Sequence, residues 1–338
     1  MASRCFRAAA FEGSEDATLY RAGLAFVSSG LVPSPTQRGL ILLADLTATK
    51  PTITPLALHN LNASYGFRPH GLHFDNSSSR LYAVSHSDTL KEESIYVFDV
   101  NLEQAASVAL PKPTLSFRYL LTSPHFEYHT RALLWFLNDV AVVDGKNELY
   151  VTQLGPIGGG KFGKDKALWR CTWREADKRA DGRLPASCAH AYKTLSLGLN
   201  GIAIEPAPSE RLWVNDEFGA PGGGSQLWPF LRNLTDGGLT PKPSIPLGGS
   251  SIDNAERDYD SGDLQMGQYQ RADGGGKKAG AELLARAVDP ASGTYGPAKV
   301  AVALPQNVTY QVSTALTYGK WTLLGSPWDI GPYLCEAV

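Results

Sequence analysis

One short pattern recurs six times along this chain and constrains its fold more than any other feature. Each copy begins with a polar residue and continues as a strand, a tight turn and a second strand. The clearest copy opens on Asn138-Asp139, turns at Asp144-Gly145 and ends at Leu149-Tyr150-Val151. The copies start near residues 15, 70, 138, 200, 253 and 313. Short strands repeated at intervals of about 50–70 residues predict a β-propeller.

The predicted fold class is all-β, a six-bladed propeller that spans residues 1–338 as one domain. The length alone allows two domains, but evenly spaced repeats favour one large all-β unit. The 34 glycines and 22 prolines suit a chain with many tight turns. Residues 281–288 have helical propensity, yet their position between two predicted strands indicates the third strand of the fifth blade.

Charge and hydropathy limit the partners of the chain. It has 31 Lys and Arg against 33 Asp and Glu, a formal net charge of −2, and no basic stripe. Nucleic acids and anionic membranes are therefore not favoured as partners. No stretch approaches the roughly 18 apolar residues of a membrane-spanning helix, so no transmembrane segment is predicted.

The four cysteines suggest two disulfides. Cys5 and Cys335 lie at the two ends of the chain, which meet in a propeller when the first and last strands share a blade. A disulfide between them would close the ring. Cys171 and Cys188 flank a polar turn and could face each other across a hairpin. Since no Cys-x-x-Cys pair is present, a zinc site is not favoured.

Four Asn-x-Ser/Thr sequons accompany the even number of cysteines and predict a secreted glycoprotein. The alternative is a chain with chance sequons and free buried thiols. The predicted glycosylation sites are Asn62, Asn76, Asn233 and Asn307.

The polar residues that open each copy are the functional clue, because the innermost strands of a propeller start at one end of its central channel. Carboxylates and amide carbonyls together form an all-oxygen ligand set, which suits calcium better than magnesium or zinc. Neighbouring residues of a strand face opposite ways, so the pairs could serve one upper and one lower ion. Asn and Asp pairs are also common in turns, but their repetition in phase with the blades favours metal binding. The residues are Glu15, Asp16, Asn138, Asp139, Asn200, Asp253 and Asn254.

Two histidines, His70 and His86, begin and end one predicted hairpin and can therefore lie close together at the mouth of the channel. A histidine pair can tune one member to act as a general base near neutral pH. A histidine in a strand is also often structural, and the spacing alone does not decide between the two roles. Serine-nucleophile and zinc-protease motifs are absent from the sequence.

These residues resemble a known family, the paraoxonases or arylesterases, which are calcium-dependent lactonases built on a six-bladed β-propeller. The matching stretches occur in the family's order over nearly the whole chain. They are Gly13-Ser14-Glu15-Asp16, Gly23 to Leu31, Pro69-His70-Gly71, Leu137-Asn138-Asp139, Asn200-Gly201-Ile202, Asp253-Asn254 and Leu334-Cys335-Glu336.

The resemblance implies two calcium ions in the channel. It implies that the catalytic calcium is bound by Glu15, Asn138, Asn200, Asp253 and Asn254, and the structural calcium by Asp16, Asp139 and the backbone carbonyl of Leu72. It further implies a ring-closing Cys5–Cys335 disulfide and a water-activating dyad of His70 and His86. Glu15 is the rival base for the same proton.

The function implied by the resemblance is hydrolysis of lactones, with aryl esters as side substrates. Some stretches depart from the family: Gln268-Tyr269 replaces a Cys-His step near the pocket, and a histidine is missing near residues 153–155. A glycine-rich loop at 155–166 replaces the apolar helix that docks the animal enzymes to lipoprotein, so lipoprotein binding is not favoured. The alternatives are sugar-lactone or phosphotriester hydrolysis at the same site, and a non-catalytic, calcium-stabilised binding propeller. Loops around 32–38, 67–69, 269–275 and 325–332 would set the small-molecule substrate.

Overall fold

The computed structural model describes most of the chain in several segments. These are residues 3–8, 11–31, 39–87, 92–102, 113–126, 136–154, 167–193, 198–217, 225–247, 251–258, 261–269, 281–285, 287–289, 294–304 and 311–337. The predicted specificity loop at 32–38 and the glycine-rich loop at 155–166 lie outside the described residues.

The chain begins with two short strands that join a sheet completed only by its other end. They are β1 (Ser3–Arg7) and β2 (Glu12–Ser14). The next stretch forms the first complete sheet, which is four-stranded and antiparallel. Its strands are β3 (Ala17–Arg21), β4 (Leu24–Ser29), β5 (Leu40–Asp45) and β6 (Thr52–Pro55).

The second sheet follows and carries two short 3₁₀ turns at its ends. Its elements are β7 (Leu58–His59), η1 (Ala63–Tyr65), β8 (Pro69–Asp75), β9 (Arg80–Ser87), β10 (Glu92–Leu102), β11 (Pro113–Thr122) and η2 (Pro124–Phe126). The next stretch contains β12 (Phe136–Val142), β13 (Glu148–Leu154), β14 (Ala167–Thr172), η3 (Glu175–Asp177), β15 (Arg183–Pro185) and β16 (Ser187–Lys193). Four of these strands form the third sheet, but β15 leaves it and pairs in parallel with β11 of the second.

The fourth and fifth sheets repeat the meander. The fourth contains β17 (Leu199–Ile204), β18 (Leu212–Asp216), β19 (Gln226–Arg232), β20 (Leu239–Pro241) and β21 (Ile245–Pro246). The fifth stretch contains β22 (Ser251–Arg257), β23 (Leu264–Tyr269), β24 (Ala281–Ala285), the small pair β25 (Ala287–Asp289) and β26 (Thr294–Tyr295), and β27 (Lys299–Ala303). Because β24 pairs with both β23 and β27, the third strand predicted there is confirmed.

The last sheet combines both ends of the chain. Its C-terminal strands are β28 (Thr314–Tyr318), β29 (Trp321–Ile330) and β30 (Tyr333–Ala337). Strand β1 pairs with β30 and β2 pairs with β29, so Cys5 lies opposite Cys335 and forms the predicted disulfide. The predicted number of six blades is therefore corrected to five: five blades each come from one continuous stretch, whereas the closing sheet needs both chain ends.

The first strands of the six large sheets form a closed ring. Each contacts the next in the order β3, β8, β12, β17, β22, β28 and back to β3. This arrangement confirms the predicted all-β propeller. None of the helices in the described part of the chain has the length and apolar character needed to cross a membrane.

Apolar contacts between neighbouring sheets form the core. All residues of β4, β8 and β13 are buried, because these strands lie inside blades whose two faces are both covered. One cluster joins Val84 and Val97 of the second sheet to Val142 and Val151 of the third. Glycine at a positive φ makes the tight turn between the first two strands possible in several blades, as at Gly23 (φ +73°) and Gly145 (φ +66°).

Candidate active site

The predicted site residues lie together at one end of the channel, at the start of the first strands. Glu15 and Asp16 directly precede β3, and the others lie near the beginnings of β8, β12, β17 and β22. Each is at most 4 % exposed. The set is Glu15, Asp16, His70, Asn138, Asp139, Asn200, Asp253 and Asn254.

A register shift marks the opening residues in four of the blades. The pairing between first and second strands shifts between Pro69 and Leu72, and in the same way at the start of the next three blades. The other shifts are Leu137/Val140, Leu199/Ile202 and Ile252/Ala255. Such bulges release residues from the ladder and re-aim their side chains. The opening pairs are thus turned toward the channel by the backbone itself.

Neighbouring first strands approach closely at two glycines. A Cβ on Gly71 would lie 2.4 Å from Asp139 Oδ1, and one on Gly201 would lie 2.6 Å from the Cα of Asn254. Each glycine follows an opening residue, His70 or Asn200. Only a residue without a side chain lets the strands pack this closely.

Hydrogen bonds across the blades hold the carboxylates. The backbone N–H of Leu72 donates to Asp16 Oδ2 at 2.7 Å, and that of Ile202 donates to Asp139 Oδ2 at 2.8 Å. Asn254 Nδ2 donates to Glu15 Oε1 at 2.8 Å. These hydrogen bonds connect the starts of different first strands: the first with the second and fifth, and the third with the fourth.

Burial of several acids in one channel shifts their titration. Burial raises the pKa of Glu15 to about 8, although the hydrogen bond from Asn254 partly opposes this. Burial also raises the pKa of Asp16 and Asp139 well above the ordinary value, and in each case a neighbouring carboxylate adds to the shift: Glu15 for Asp16, and Asp16 for Asp139. A cation would relieve this repulsion.

Several buried oxygens at this end have no hydrogen-bond partner among the described residues. They are Glu15 Oε2, Asn138 Oδ1, Asn200 Oδ1 and Asn254 Oδ1. Buried polar atoms are rarely left without a partner unless a water or ion completes them. The described residues contain no cluster of three or more His, Cys, Asp or Glu able to hold a metal; three of the seven predicted side-chain ligands are amides, which such a cluster does not include. The unpartnered oxygens nevertheless suit a hard cation such as calcium.

A series of polar side chains in hydrogen-bonding contact leads from Glu15 toward the third sheet. Nε2 of His70 lies 3.2 Å from Glu15 Oε1, and its Nδ1 lies 2.6 Å from Nε2 of His86. The predicted proximity of the two histidines is confirmed. His86 Nδ1 lies 3.1 Å from Oε1 of Glu93, whose Oε2 accepts the backbone N–H of Leu137. Burial and the neighbouring His86 lower the pKa of His70 well below its usual value.

Sequence reasoning missed polar side chains that lie near the opening residues, on the second strands or directly after them. Thr152 Oγ1 accepts the backbone N–H of Asp139 and donates to the carbonyl of Asn200. Asn200 Nδ2 donates to Glu217 Oε2 at 3.2 Å. Gln268, at the position of the family's Cys-His step, is buried, and its Oε1 has no hydrogen-bond partner among the residues that the structure describes. Thr152 and Gln268 lie in strands that contain other polar residues, so nothing in the sequence distinguished them.

A separate cavity of about 470 Å³ lies at the turns between first and second strands, away from the opening residues. Its lining includes Tyr20, Phe74, Asp144, Pro206 and Tyr318. The predicted histidines and amides do not line it. The buried acids, amides and histidines converge at the opposite end, at the start of the first strands.

Other sequence predictions concern the compartment. Cys171 and Cys188 form the predicted second disulfide. Asn62, Asn76 and Asn233 are exposed, whereas Asn307 lies outside the described residues. Two disulfides are compatible with a secreted or extracytoplasmic location.

Comparison with known proteins gives one curated relative at the sequence level. The chain is 31 % identical over 150 residues to human serum paraoxonase/lactonase 3, a match covering 42 % of this chain and 37 % of that protein. The paraoxonase resemblance is confirmed. Because the match spans little more than a third of the curated relative, the activity and partners of this paraoxonase-like chain are treated below as proposals. No family model matches the chain.

Solved structures show the same fold for the paraoxonase-like chain. The periplasmic gluconolactonase of Pseudomonas aeruginosa covers 89 % of this chain and 74 % of its own at 13 % identity, with a TM-score of 0.51. A calcium-binding regucalcin from Agrobacterium tumefaciens covers 98 % and 91 % at 13 % identity, with a TM-score of 0.50. The aldose sugar dehydrogenase of Streptomyces coelicolor, solved with PQQ, covers 99 % and 98 % at 12 % identity, with a TM-score of 0.50. At these identities the likeness supports the fold alone.

Proposed function

We propose that this chain is a calcium-dependent hydrolase of lactones, with aryl esters as side substrates. One observation carries the proposal: unpartnered buried oxygens from separate blades meet a hydrogen-bonded histidine pair at the same end of the channel. Oxygen ligands for a cation beside a candidate base are what water attack on a carbonyl requires.

The ligands for two calcium ions are proposed from the same end of the channel. A bound calcium would supply Lewis-acid stabilisation of negative charge on the carbonyl oxygen. Glu15, Asn138, Asn200, Asp253 and Asn254 would hold the catalytic ion. Asp16, Asp139 and the carbonyl of Leu72 would hold the structural ion.

The chain's own residues would then handle the proton. His70 would take it from the attacking water, since His70 is buried beside Glu15 and is supported by His86. Burial disfavours the charged imidazolium, so His70 is neutral and able to accept a proton at neutral pH. Glu15 is the rival base and is tested below.

The remaining features of the proposal follow from the disulfides, the sequons and the ring. We propose one domain over residues 1–338, secreted and glycosylated at Asn62, Asn76, Asn233 and Asn307. A small lactone or ester is the proposed partner. Neither nucleic acid nor lipoprotein is part of the proposal.

The test is hydrolysis of a panel of γ- and δ-lactones and phenyl acetate before chelation, after chelation and after calcium is added back. Turnover that disappears with chelator and returns with calcium supports the proposal. Turnover only on sugar lactones or phosphotriesters would keep the site but replace the substrate class. Absence of turnover, with chelation lowering only the melting temperature, would favour a binding propeller with structural ions.

A further inference from the structure

We propose that the N-linked glycan at Asn76 folds back into the cavity at the end of the channel opposite the buried acids, and that it closes this end. The inference rests on the glycosylation proposed above and assigns an occupant to the cavity. It does not depend on the hydrolase reaction, because the residues proposed for that reaction lie at the other end.

The cavity of about 470 Å³ is surrounded by the turns that join the first and second strands of the six large sheets. Each turn, or the strand end beside it, contributes at least one lining residue. They are Ala22, Asn76, Asp144, Pro206, Asp258 and Tyr318. Since the first strands of a propeller line its channel, a molecule in this cavity covers the end of the channel. Small-ligand sites have volumes of about 300–1,000 Å³, so the cavity can hold a short saccharide.

Asn76 is an exposed residue of the turn between β8 and β9, and it lines the cavity. Asp75, which is 1 % exposed, holds this turn in place. Its Oδ1 accepts the backbone N–H of Ser77 at 2.9 Å, and its Oδ2 accepts the hydroxyl of Ser78 at 2.6 Å. A glycan on Asn76 therefore starts from a fixed point at the edge of the cavity.

The two other sequons that the structure describes are placed differently. Neither Asn62 nor Asn233 lines this cavity. Their side-chain oxygens accept the backbone N–H two residues later, from Ser64 and Thr235, each at 2.9 Å. Both asparagines are exposed, so glycans attached there extend into solvent and serve as internal standards for Asn76.

The lining of the cavity suits a saccharide, which combines apolar C–H faces with hydroxyl groups. Tyr318 is 37 % exposed and presents an aromatic surface. Its ring lies against the turn of the first sheet, since a Cβ on Gly23 would be 2.7 Å from Cδ1 of Tyr318. Asp144 and Asp258 can accept hydrogen bonds from sugar hydroxyls, and Arg21 can donate them. Because the lining carries both signs of charge, a neutral ligand fits it better than a simple ion.

The attachment needs an oligosaccharide carried on a lipid pyrophosphate as the donor. Nδ2 of Asn76 forms a bond to the anomeric carbon of the first N-acetylglucosamine, and the bond from that carbon to the pyrophosphate oxygen breaks. The lipid pyrophosphate leaves with the electron pair of the broken bond, and the amide loses one proton to the transferase. The linkage at Asn76 is uncharged and bulky.

The test compares the three sequons within one protein. The full chain is secreted from a eukaryotic host that adds only high-mannose glycans, and the native protein is treated with endoglycosidase H. Peptide mass spectrometry follows the loss of each glycan with time. The glycan at Asn76 should be released at least about tenfold more slowly than those at Asn62 and Asn233, because the enzyme must wait for it to leave the cavity. After denaturation, all three should be released at similar rates.

A variant of the cavity wall tests the packing directly. Tyr318→Ala removes the exposed ring and should raise the release rate at Asn76 to that at Asn233, with the rate at Asn62 unchanged. Val300→Ala is the matched control, since Val300 is an exposed apolar residue outside the lining, and it should leave all three rates unchanged. Protection of Asn76 that stays at the wild-type level in Tyr318→Ala would overturn the inference. If Tyr318→Ala does not fold, the wild-type rates alone give the decision.

The remaining outcomes separate this inference from the proposals on which it rests. A native Asn76 glycan released as fast as those at Asn62 and Asn233 overturns it. An unoccupied Asn76 beside occupied Asn62 and Asn233 also overturns it, and calorimetric binding of N,N′-diacetylchitobiose by that protein would assign the cavity to a free saccharide. If no sequon carries a glycan, the proposed glycosylation fails as a whole and the inference fails with it. Lactone hydrolysis is measured separately and decides only on the enzyme.

Discussion

The backbone N–H of Leu72 donates to Oδ2 of Asp16 at 2.7 Å, so a strand of the second sheet holds a carboxylate that precedes the first. The resemblance implied a role for the carbonyl of Leu72, and the structure adds a role for its N–H. This hydrogen bond stabilises the Asp16 carboxylate only in part, because Asp16 and Asp139 still repel each other in a buried channel. The pair should therefore depend on a cation.

The substitution Asp16→Asn should lower the unfolding temperature when calcium is present and raise it when calcium is removed. The amide keeps an acceptor for Leu72 but removes one buried charge. With calcium present, Asp16→Asn should unfold at a lower temperature than the wild type, because a ligand is weakened. With chelator, it should unfold at a higher temperature, because repulsion with Asp139 is gone. Calorimetry in both buffers checks this, and the same order in both would contradict a cation between the two acids.

Removal of the imidazole of His70 tests the identity of the base. His70→Gln should lower kcat by about 10²-fold or more on any lactone that the wild type hydrolyses. Calcium-dependent thermal stability should remain, because Glu15 and the amides are intact. His125→Gln, at an exposed position in η2, is the control and should behave as wild type. A nearly wild-type rate for His70→Gln would move the role of base to Glu15.

The two disulfides should differ in their contribution to stability. Cys5–Cys335 joins residues 330 apart in sequence, whereas Cys171–Cys188 joins residues 17 apart. In the chain-entropy account, the first restricts the unfolded chain by about 6 kcal/mol and the second by about 3 kcal/mol. Denaturant unfolding of the two paired Cys→Ser variants measures both. A larger loss for the short loop would show that closing the ring contributes less than local constraint.

A buried ion-pair network predicts how stability falls in acid. Glu148 is 7 % exposed. Burial alone would raise its pKa, but hydrogen bonds from Arg170 and Arg232, each at 2.8 Å, lower the pKa to about 2. The carboxylate therefore stabilises the fold above the unfolded-state pKa of about 4.3, and this contribution is lost as pH falls toward 2.

Glu148→Gln should accordingly be less stable than the wild type by about 1–2 kcal/mol at pH 7, after allowance for solvent screening near Arg170. The difference should shrink as the pH approaches 2. Urea unfolding at several pH values measures it. Glu336→Gln, which breaks an exposed pair, should change stability by less than about 0.5 kcal/mol. A difference for Glu148→Gln that does not depend on pH would exclude the ion pairs as its cause.

The sequence predicted the parts of the structure that repeat. The opening pairs, such as Asn138-Asp139, mark the first strands because strand, turn and strand recur in phase along the chain. Proximity of His70 and His86 followed from one hairpin. Even the strand at 281–285 was predictable against its helical propensity, since its neighbours on both sides are strands.

Features that arise from contact between blades were not predictable. Glu93 meets Leu137 across 44 residues of chain, and no motif joins them. Thr152 reaches the carbonyl of Asn200 in the next sheet, yet in sequence it is one more residue of a β-rich run. The register shifts at the opening residues also leave no mark in composition, because they are a property of two paired strands rather than one.

Strand β15 has a mechanical consequence for the ring. It lies in the connection between β14 and β16, the two strands joined by the Cys171–Cys188 disulfide. It nevertheless pairs with the outer edge of the second sheet, where Leu184 lies opposite Leu121. Separating these two blades would require breaking backbone pairing as well as side-chain packing. Under tension or heat, the second and third blades should stay attached to each other, and the ring should open at the interface between two other blades.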